Sequence, residues 1–408
     1  MALAAATINC AAQTVYFDFG GSGSRGTLTE NPDASGNHWN NIAPATEGAT
    51  SIAAKTSFDN IVDRQGADTG ISLFLCNAWG VNGAGGLSNP DAALLGDLAV
   101  ASATTDYMFN TNNNEGGRSF VIRGLDSGKG YRFTIFGSRN AGDTRQGRYS
   151  ISGQNGWATV MQVAGNGIGA NGENQNTDNA PVSDIIYPDA SGNITIYITN
   201  ETTTYVPLSC MKMEAVEGRR TFEGSTGRTL LFDFGSNGSN AARGTKTEGN
   251  WNNIVNGTAD NYCAAGSEFA GLVDNTGADT GMTLTVNSRF STNGGSGGGG
   301  LANPDASLLG DLAVATATND YFYTETGETN RTMTFSSLDP RKSYRFTLFG
   351  TRNNAECRVG LFHLEGINEF YGAQQVAGND FSSSASQNTR NLLISDPIFP
   401  AATASPSL

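Results

Sequence analysis

The sequence is poor in positive charge, in histidine and in long apolar runs. Its 408 residues include 24 Lys and Arg against 38 Asp and Glu, which gives a formal net charge of −14. This balance excludes the basic surface that most nucleic-acid-binding proteins use. No stretch reaches the roughly 18 uncharged apolar residues that a membrane helix requires. We therefore expect neither a nucleic-acid partner nor membrane insertion.

Cysteine is scarce as well. The chain has five cysteines, at Cys10, Cys76, Cys210, Cys263 and Cys357. Their number is odd and no two of them form a CxxC pair, which argues against a zinc site and against a disulfide framework.

What the sequence does contain is glycine. There are 53 Gly and 11 Pro, with 38% hydrophobic and 15% charged residues, a mixture typical of a folded, turn-rich chain. The small residues from Ala2 to Ala12 look like the end of a secretory signal peptide. We therefore expect residues 1–13 to be a signal remnant or a disordered arm, and the protein to be secreted or at the cell surface.

An internal repeat with a period of about 213 residues organises the whole chain. The segment VYFDFG at Val15–Gly20 returns as LLFDFG at Leu230–Gly235. The block Ser88–Tyr107 matches Ala302–Tyr321 at 16 of 20 positions. The sequence therefore predicts two homologous domains.

The repeat also sets the domain boundaries, which we place at 14–216 and 228–408, with a linker at 217–227. The first copy ends with the strand-like segments Asn193–Asn200 and Val206–Val216, for which the second copy has no equivalent. Either the chain is a fragment of a longer protein or the second domain lacks its last two strands.

Segments with period-two alternation recur throughout both copies. Examples are YRFTIFG at Tyr131–Gly137 and NITIYITN at Asn193–Asn200, which indicate strands. Gly, Asn, Asp and Ser clusters separate such segments, and one helix is expected per copy, at Asn89–Ala103 in the first. The sequence therefore predicts an all-β fold of two tandem homologous antiparallel β-sandwich, jelly-roll-like domains, the second lacking its final strands.

Four segments carry a resemblance to a known family: FDFG, WNNI, GLD followed by YRFTIFGSR, and the closing MKMEAV. The chain resembles the galactose-binding-like, carbohydrate-binding-module-like β-sandwich repeats of large secreted bacterial proteins, which often lie beside esterases and glycosidases. The resemblance implies glycan binding and, in some members, a structural calcium ion. It brings no catalytic motif onto this chain.

A catalytic function would need a base, and the two histidines do not supply one in both copies. His38 aligns with Asn250, and the counterpart of His363 lies near Ser150, where the first copy has no histidine. We therefore expect no active site and no enzyme.

The Trp-Asn-Asn segment present in both copies is the first candidate for a sugar site, because an indole stacks on a pyranose while amides bond its hydroxyls. An arginine after the YRFT strand of each copy joins it. The candidate carbohydrate-binding residues are Trp39, Asn40, Asn41, Arg139, Trp251, Asn252, Asn253 and Arg352. This hypothesis requires both tryptophans to be at least partly exposed. In the alternative, the tryptophan closes one end of the sandwich and the asparagines bond turn backbones.

A second repeated segment, VDxxGADTG, carries two aspartates in each copy: Asp63 and Asp68, then Asp274 and Asp279. Their carboxylates in a tight glycine-containing loop are candidate ligands of a structural Ca²⁺ ion. The alternative is a turn in which each aspartate accepts bonds from backbone amides. No other cofactor is expected.

The leading functional hypothesis is a secreted, non-catalytic tandem that binds polysaccharide or another glycan, or that acts in adhesion. Two weak sites on one chain gain avidity when both reach the same polymer. Two alternatives stay open. One is a structural surface repeat that associates with copies of itself, and the other is an accessory region of an esterase or glycosidase whose catalytic domain lies outside this chain.

Overall fold

The structure is a computed structural model that describes residues 13–110, 117–202, 205–218, 227–235, 244–255, 262–294, 299–324, 331–378 and 386–401. Strands account for 41% of it and helices for 8%, in several separate sheets, which confirms the all-β sandwich fold. The predicted N-terminal arm, except Gln13, and the central part of the predicted linker lie outside the described residues.

The described part of the first repeat contains fourteen strands. They are β1 (Thr14–Phe19), β2 (Trp39–Ile42), β3 (Ser51–Ile52), β4 (Ser57–Val62), β5 (Asp68–Leu75), β6 (Trp79–Asn82), β7 (Tyr107–Phe109), β8 (Arg118–Arg123), β9 (Lys129–Phe136), β10 (Arg145–Ser152), β11 (Gly156–Ala164), β12 (Ile194–Asn200), β13 (Pro207–Leu208) and β14 (Cys210–Glu217). They form three sheets with strand orders β2-β1-β14-β9, β11-β10-β12-β8-β5-β4 and β13-β7-β6-β3.

One large core lies between these sheets, because alternate residues of the facing strands point inward. Phe17 on β1, Phe120 on β8 and Ile196 on β12 belong to this core, and all three are fully buried. Burial of each such side chain contributes about 1.5–3 kcal/mol before the entropy cost of ordering it. The period-two pattern of the sequence is thus the pattern of core contacts.

The pairing of β1 with β2 departs from the otherwise antiparallel sheets. These two strands run parallel, with Tyr16 opposite Trp39 and Phe19 opposite Ile42. The second repeat has the same parallel pair, with Leu231 opposite Trp251.

The segment expected to be one helix forms two short helices in each repeat. In the first repeat they are α1 (Ala92–Leu95) and α2 (Ala101–Thr105), and in the second α3 (Ala306–Leu309) and α4 (Ala315–Thr318). A 3-10 turn that starts at Gly96, where φ is 55°, separates α1 from α2. Among the described residues, no helix has the length and apolarity needed to cross a membrane.

The described part of the second repeat contains twelve strands. They are β15 (Leu231–Phe234), β16 (Trp251–Ile254), β17 (Tyr262–Cys263), β18 (Ser267–Ala270), β19 (Thr283–Val286), β20 (Phe290–Gly294), β21 (Asp320–Tyr323), β22 (Met333–Ser336), β23 (Thr347–Leu348), β24 (Arg358–Glu365), β25 (Glu369–Ala377) and β26 (Leu393–Ile394). They form five small sheets: β15-β16, β17-β20-β21, β18-β19-β22, β23-β26 and β24-β25.

These smaller sheets follow from the absence of counterparts to β12 and β14 in the described second repeat. In the first repeat β12 lies between β8 and β10, and β14 lies between β1 and β9. Without them the inner aromatic residues lose cover: Tyr131 and Phe133 are fully buried, whereas their counterparts Tyr344 and Phe346 are partly exposed. Among the described residues, the core of the second repeat is therefore less completely covered than that of the first.

A disulfide joins the two repeats, so the argument against disulfides is wrong for one cysteine pair. Cys76 follows β5 and Cys357 precedes β24, and they are bonded across 281 residues with a Cα–Cα distance of 5.4 Å. Spacing along the sequence says little about cysteines that only the fold brings together. Cys210 and Cys263 are buried and outside any disulfide.

The hairpin of β24 and β25 packs on the outer face of the six-stranded sheet around this disulfide. Val359 contacts the apolar cluster that contains Phe74 and Val121. Ser152 accepts a hydrogen bond from the backbone N–H of Ala373 at 2.7 Å in a buried position. The two repeats therefore share an interface, although their strands form separate sheets.

Candidate functional site

Trp39 is a buried framework residue, so the expected exposure of its indole is wrong. Its side chain is 1% exposed, stacks on Tyr16 with ring centroids 5.0 Å apart, and donates from Nε1 to Asp33 Oδ2 at 2.8 Å. The parallel β1–β2 pair places Tyr16 beside it, and the loop with Asp33 covers the remaining side. This indole is therefore not an open surface for sugar stacking.

Trp251 has less cover than Trp39 and is partly exposed, as expected. Its neighbour on the parallel strand is Leu231, where the first repeat has Tyr16. The loop before Trp251 is also shorter than the loop that carries Asp33. The two tryptophans therefore have different surroundings despite the identical WNN segments.

The side chains of the two asparagines after Trp39 form hydrogen bonds with backbone groups. Asn40 donates from Nδ2 to the carbonyls of Tyr16 and Val62, at 3.0 and 2.9 Å, and accepts from Val62 N. Asn41 accepts from Thr29 N at 2.8 Å and donates to its carbonyl at 3.0 Å. These bonds hold β2 against neighbouring segments, as the alternative interpretation expected.

The second repeat reproduces these bonds. Asn252 donates to the carbonyls of Leu231 and Val273, and Asn253 accepts from Thr247 N at 2.7 Å. The amide groups of both repeats therefore serve the fold, and sugar binding by them stays a prediction.

The aspartates proposed for calcium lie in turns. Asp63 accepts from the backbone N–H groups of Gln65 and Ala67, at 2.9 and 3.0 Å, and Asp68 accepts from Gly70. In the part of the chain that the structure describes, no group of three His, Cys, Asp or Glu side chains is placed to hold a metal ion.

The matching aspartates of the second repeat have the same bonds. Asp274 accepts from the N–H groups of Thr276 and Ala278, and Asp279 accepts from Gly281. The hydroxyl of Thr276 also bonds Asp274 and holds the pKa of that carboxyl below its usual value. Calcium at these four residues stays a prediction, and the bonds present are those of turns.

Two buried carboxyl groups, Asp18 and Asp106, form a pair that the sequence did not predict. They are 2% and 1% exposed. Asp18 accepts from the backbone and hydroxyl of Thr29, and Asp106 accepts from Gly21 N at 3.0 Å. Burial raises the pKa of Asp18, and the nearby charge of Asp106 raises it further. Burial also raises the pKa of Asp106, to about 7.

The loop after β1 closes directly over this pair. A Cβ added at Gly20 would lie 2.3 Å from Asp106 Cγ, and one added at Gly26 would lie 1.8 Å from its Oδ2. Glycine is therefore required at both positions for steric reasons. The second repeat has the same arrangement: glycines surround Asp320, and burial raises the pKa of Asp233 to about 6.

Arg139 and Arg352 lie beside tyrosines rather than in the Trp-Asn-Asn segment. The Arg139 guanidinium bonds the hydroxyl of Tyr107 and the carbonyl of Ala84, and Asn82 donates to the same hydroxyl at 2.9 Å. The guanidinium carbon lies 5.8 Å from the Tyr107 ring centroid. The contacts of Arg139 are therefore with Tyr107 and Ala84, and they do not form the joint site with Trp39 that the sequence predicted.

The same arrangement occurs in the second repeat. The Arg352 guanidinium carbon lies 5.9 Å from the Tyr321 ring centroid, and Asn293 hydrogen-bonds the Tyr321 hydroxyl. The sequence contained a signal for this repeated tyrosine–arginine contact, because Tyr107 and Tyr321 end the best-matched block of the repeat.

Each of these tyrosines has an aromatic neighbour in the same geometry. Tyr107 and Phe109 pack edge to face with centroids 6.1 Å apart and an interplanar angle of 65°, and Tyr321 and Tyr323 do so with the same two values. In the first repeat Tyr205 continues the row, 5.3 Å from Phe109 and 45% exposed. The row therefore reaches the surface.

We call these two groups the Tyr–Arg clusters. The first consists of Asn82, Tyr107, Phe109, Arg139 and Tyr205, and the second of Asn293, Tyr321, Tyr323 and Arg352. The tip of the Phe109 ring lies against Gly80, where an added Cβ would be 2.5 Å from Phe109 Cζ. Each cluster combines aromatic surface with amide and guanidinium donors, which is the chemistry that sugar recognition requires.

Comparison with known proteins finds no matching family model and no matching curated protein. Among solved structures, the chain is similar to the CBM22-1 and GH10 modules of an endo-1,4-β-D-xylanase from Clostridium thermocellum, complexed with xylohexaose. The identity is 14% and the TM-score 0.18, over 32% of this chain and 26% of that chain. It is also similar to a family two carbohydrate esterase from Cellvibrio japonicus, with 10% identity and a TM-score of 0.17, over 45% and 38% of the two chains. Both similarities cover less than half of either protein.

Proposed function

We propose that this chain is a secreted or cell-surface, non-catalytic tandem that binds polysaccharide through its two Tyr–Arg clusters. The observation that carries the proposal is that the fold builds the same asparagine, tyrosine and arginine contacts twice, each with an edge-to-face aromatic neighbour. The site differs from the one that the Trp-Asn-Asn segments predicted.

The chemistry of the clusters suits a sugar ring. Phe109 and Tyr205 in the first cluster and Tyr323 in the second offer aromatic faces for the C–H surface of a pyranose. Asn82 and Arg139 place donors next to that surface, held in position by the Tyr107 hydroxyl. A net charge of −14 favours a neutral polymer over a polyanionic one.

The link between the repeats supports binding by both clusters at once. The Cys76–Cys357 disulfide and the buried Ser152–Ala373 hydrogen bond tie the two repeats together. Two sites on tied domains gain avidity on a polymer that reaches both. A disulfide also supports the proposed location, since disulfides persist in oxidising compartments outside the cytosol.

The non-catalytic part of the proposal is supported by the unlike surroundings of the histidines. His363 stacks on Tyr371 with centroids 4.0 Å apart, whereas His38 lies over Gly66. A repeated active site would have shared chemistry in both copies. The two alternatives, a self-associating surface repeat and an accessory region of a hydrolase, stay predictions.

Replacement of the exposed Tyr205 or the partly exposed Tyr323 is expected to weaken polysaccharide binding. We expect Tyr205→Ala and Tyr323→Ala each to lower the affinity at their own site by about tenfold to a hundredfold, because an aromatic contact with a sugar contributes up to a few kcal/mol. The measurement is affinity electrophoresis against a panel of soluble neutral polysaccharides, followed by calorimetry on those that bind.

Two variants serve as controls. Ile367→Ala removes an apolar side chain that is 73% exposed and outside both clusters, and it should bind as the wild type does. Trp39→Phe should lower stability through loss of the Asp33 hydrogen bond without changing which polysaccharide binds. A folded Tyr205→Ala, Tyr323→Ala double variant with unchanged affinity would reject the proposed site.

A further inference from the structure

A turn of the first repeat, residues 152–156 between β10 and β11, docks on the second repeat. The Gln154 carbonyl accepts a hydrogen bond from Ile394 N at 2.8 Å. The Ser152 hydroxyl accepts one from Ala373 N at 2.7 Å, in a buried position. We call residues 152–156 the docked turn, and Ala373 with Ile394 the receiving face.

The second repeat contains a turn of the same conformation, residues 365–369 between β24 and β25, which we call the outer turn. Gly366 N donates to the Asn368 carbonyl at 2.9 Å. In the docked turn, Gly153 N makes the corresponding bond to Asn155 at 2.8 Å. Each of these asparagine side chains also donates to a backbone carbonyl and accepts from a backbone N–H later in its own repeat. The same bonds therefore hold both turns in shape.

Both sides of the contact between the repeats have uncovered counterparts. On the first repeat, Val160 and Val182 occupy the positions of the receiving face, and we call them the open face. They are 41% and 53% exposed, whereas Ala373 on the receiving face is 3% exposed. Ile367, at the tip of the outer turn, is 73% exposed. The contact is therefore head-to-tail, and it leaves an apolar turn on one repeat and an apolar face on the other.

The open face also presents a backbone donor. On the receiving face, Ile394 N donates to the docked turn. Its counterpart, Val182 N, has no hydrogen-bond partner within the described part of the chain. An outer turn placed there would accept this bond through the carbonyl of Ile367, and the side chains of Ile367 and Val182 would shield each other from water.

Two features make such a contact weaker than the one between the repeats. Glu369 stands where the docked turn has Gly156, and a Cβ added at Gly156 would lie 2.1 Å from the carbonyl oxygen of Tyr371. The outer turn therefore needs a shift of its backbone that the docked turn does not need. Each copy of the chain also carries a net charge of −14, which opposes association.

We propose that the outer turn of one molecule docks on the open face of a second copy of this chain, with Ile367 against Val160 and Val182. A second copy is the occupant because it carries both halves of the contact, and the two repeats show how this fold packs on itself. Each molecule offers one turn and one face, so repeated contacts give an open chain or a ring rather than a two-fold dimer. The inference goes beyond the proposed glycan binding and does not depend on it.

The test is sedimentation velocity of the full chain over a series of concentrations, in about 0.5 M salt to screen the charge between copies. We expect the wild type to associate weakly and reversibly. Val182→Glu and Ile367→Glu should each weaken association at least about tenfold, because each would bury an unpaired charge. Leu94→Glu is the matched control: it adds the same charge at an apolar residue on α1 that is 44% exposed, and it should associate as the wild type does.

A mixture of the two weakened variants tests the head-to-tail geometry. Val182→Glu keeps an intact outer turn, and Ile367→Glu keeps an intact open face. Each should be monomeric alone, and an equimolar mixture should form one-to-one dimers and no larger species. Glu369→Gly restores the glycine of the docked turn and should strengthen association by about threefold or more.

Four results would overturn the proposal. They are a wild type that stays monomeric at every concentration, association that survives either Val182→Glu or Ile367→Glu, equal loss of association in Leu94→Glu, and a mixture that does not dimerise. Urea denaturation midpoints equal to that of the wild type show that the variants remain folded.

Discussion

Loss of the Cys76–Cys357 disulfide is expected to lower the free energy of unfolding of the second repeat by about 2–4 kcal/mol. The bond closes a separation of 281 residues, and the chain-entropy model gives about 5.6 kcal/mol as a ceiling for a loop of that length. The described core of the second repeat is less completely covered than that of the first, which makes the second repeat the part that depends most on this bond.

The contacts around the disulfide explain why the effect should be local. Cys357 directly precedes β24, and the β24–β25 hairpin is attached to the first repeat through Val359 and through the Ser152–Ala373 hydrogen bond. Without the covalent link, non-covalent contacts alone oppose detachment of the hairpin, among them these two and the contact of the Arg148 guanidinium with the Tyr371 ring. The complete core of the first repeat is unaffected by that detachment.

The measurement is urea denaturation followed by hydrogen exchange, with and without reductant. The Cys76→Ser, Cys357→Ser double variant is the control, because reductant should no longer change its unfolding midpoint. Thiol titration of the unfolded protein should find two fewer thiols without reductant than after reduction. Equal thiol counts with and without reductant, or equal midpoints for the oxidised and reduced protein, would contradict the prediction.

The free energy of unfolding is also expected to fall as the pH rises from about 4 to about 7, because of the buried carboxyl pairs. Burial raises the pKa of Asp106 to about 7 and that of Asp233 to about 6. In this range the folded protein holds protons that the unfolded chain has released, so raising the pH favours unfolding. A rise of about three pKa units at one group corresponds to roughly 4 kcal/mol, as an order of magnitude.

Asparagine variants separate this effect from the general repulsion within an acidic protein. In the Asp106→Asn, Asp320→Asn double variant, one carboxyl of each pair becomes a neutral amide of the same shape. We expect its stability to change less between pH 5 and pH 8 than that of the wild type, because Asp106 no longer titrates whereas the buried Asp18 and Asp233 still do, and to exceed the wild-type value at pH 8. Asp178→Asn removes an exposed carboxylate and should keep the wild-type pH dependence.

Urea denaturation midpoints at pH 5, 6, 7 and 8 provide the measurement. A wild-type midpoint that stays constant over this range would show that ionisation of the buried carboxyl pairs does not destabilise the fold, and it would contradict the prediction. A midpoint that falls equally in wild type and in the double variant would assign the loss to overall charge.

The sequence alone determined the all-β fold and the duplication. Strands with one buried face have a period of two, and segments such as Tyr131–Gly137 and Tyr344–Gly350 are nearly identical, so both features are readable locally. The division of Asn89–Ala103 into two helices was not readable in this way, because Gly96 takes a positive φ and starts a 3-10 turn there.

Only the tertiary structure decided which residues form sites. The parallel pairing of β1 and β2 brings Tyr16 onto Trp39 and buries an indole that looked like a surface residue. Packing of one repeat on the other brings Cys76 to Cys357. The folding of β7 against the loop after β9 brings Tyr107 to Arg139. Local periodicity reports which face of a strand is buried, whereas the contacts between distant segments depend on the order and direction in which the strands pair.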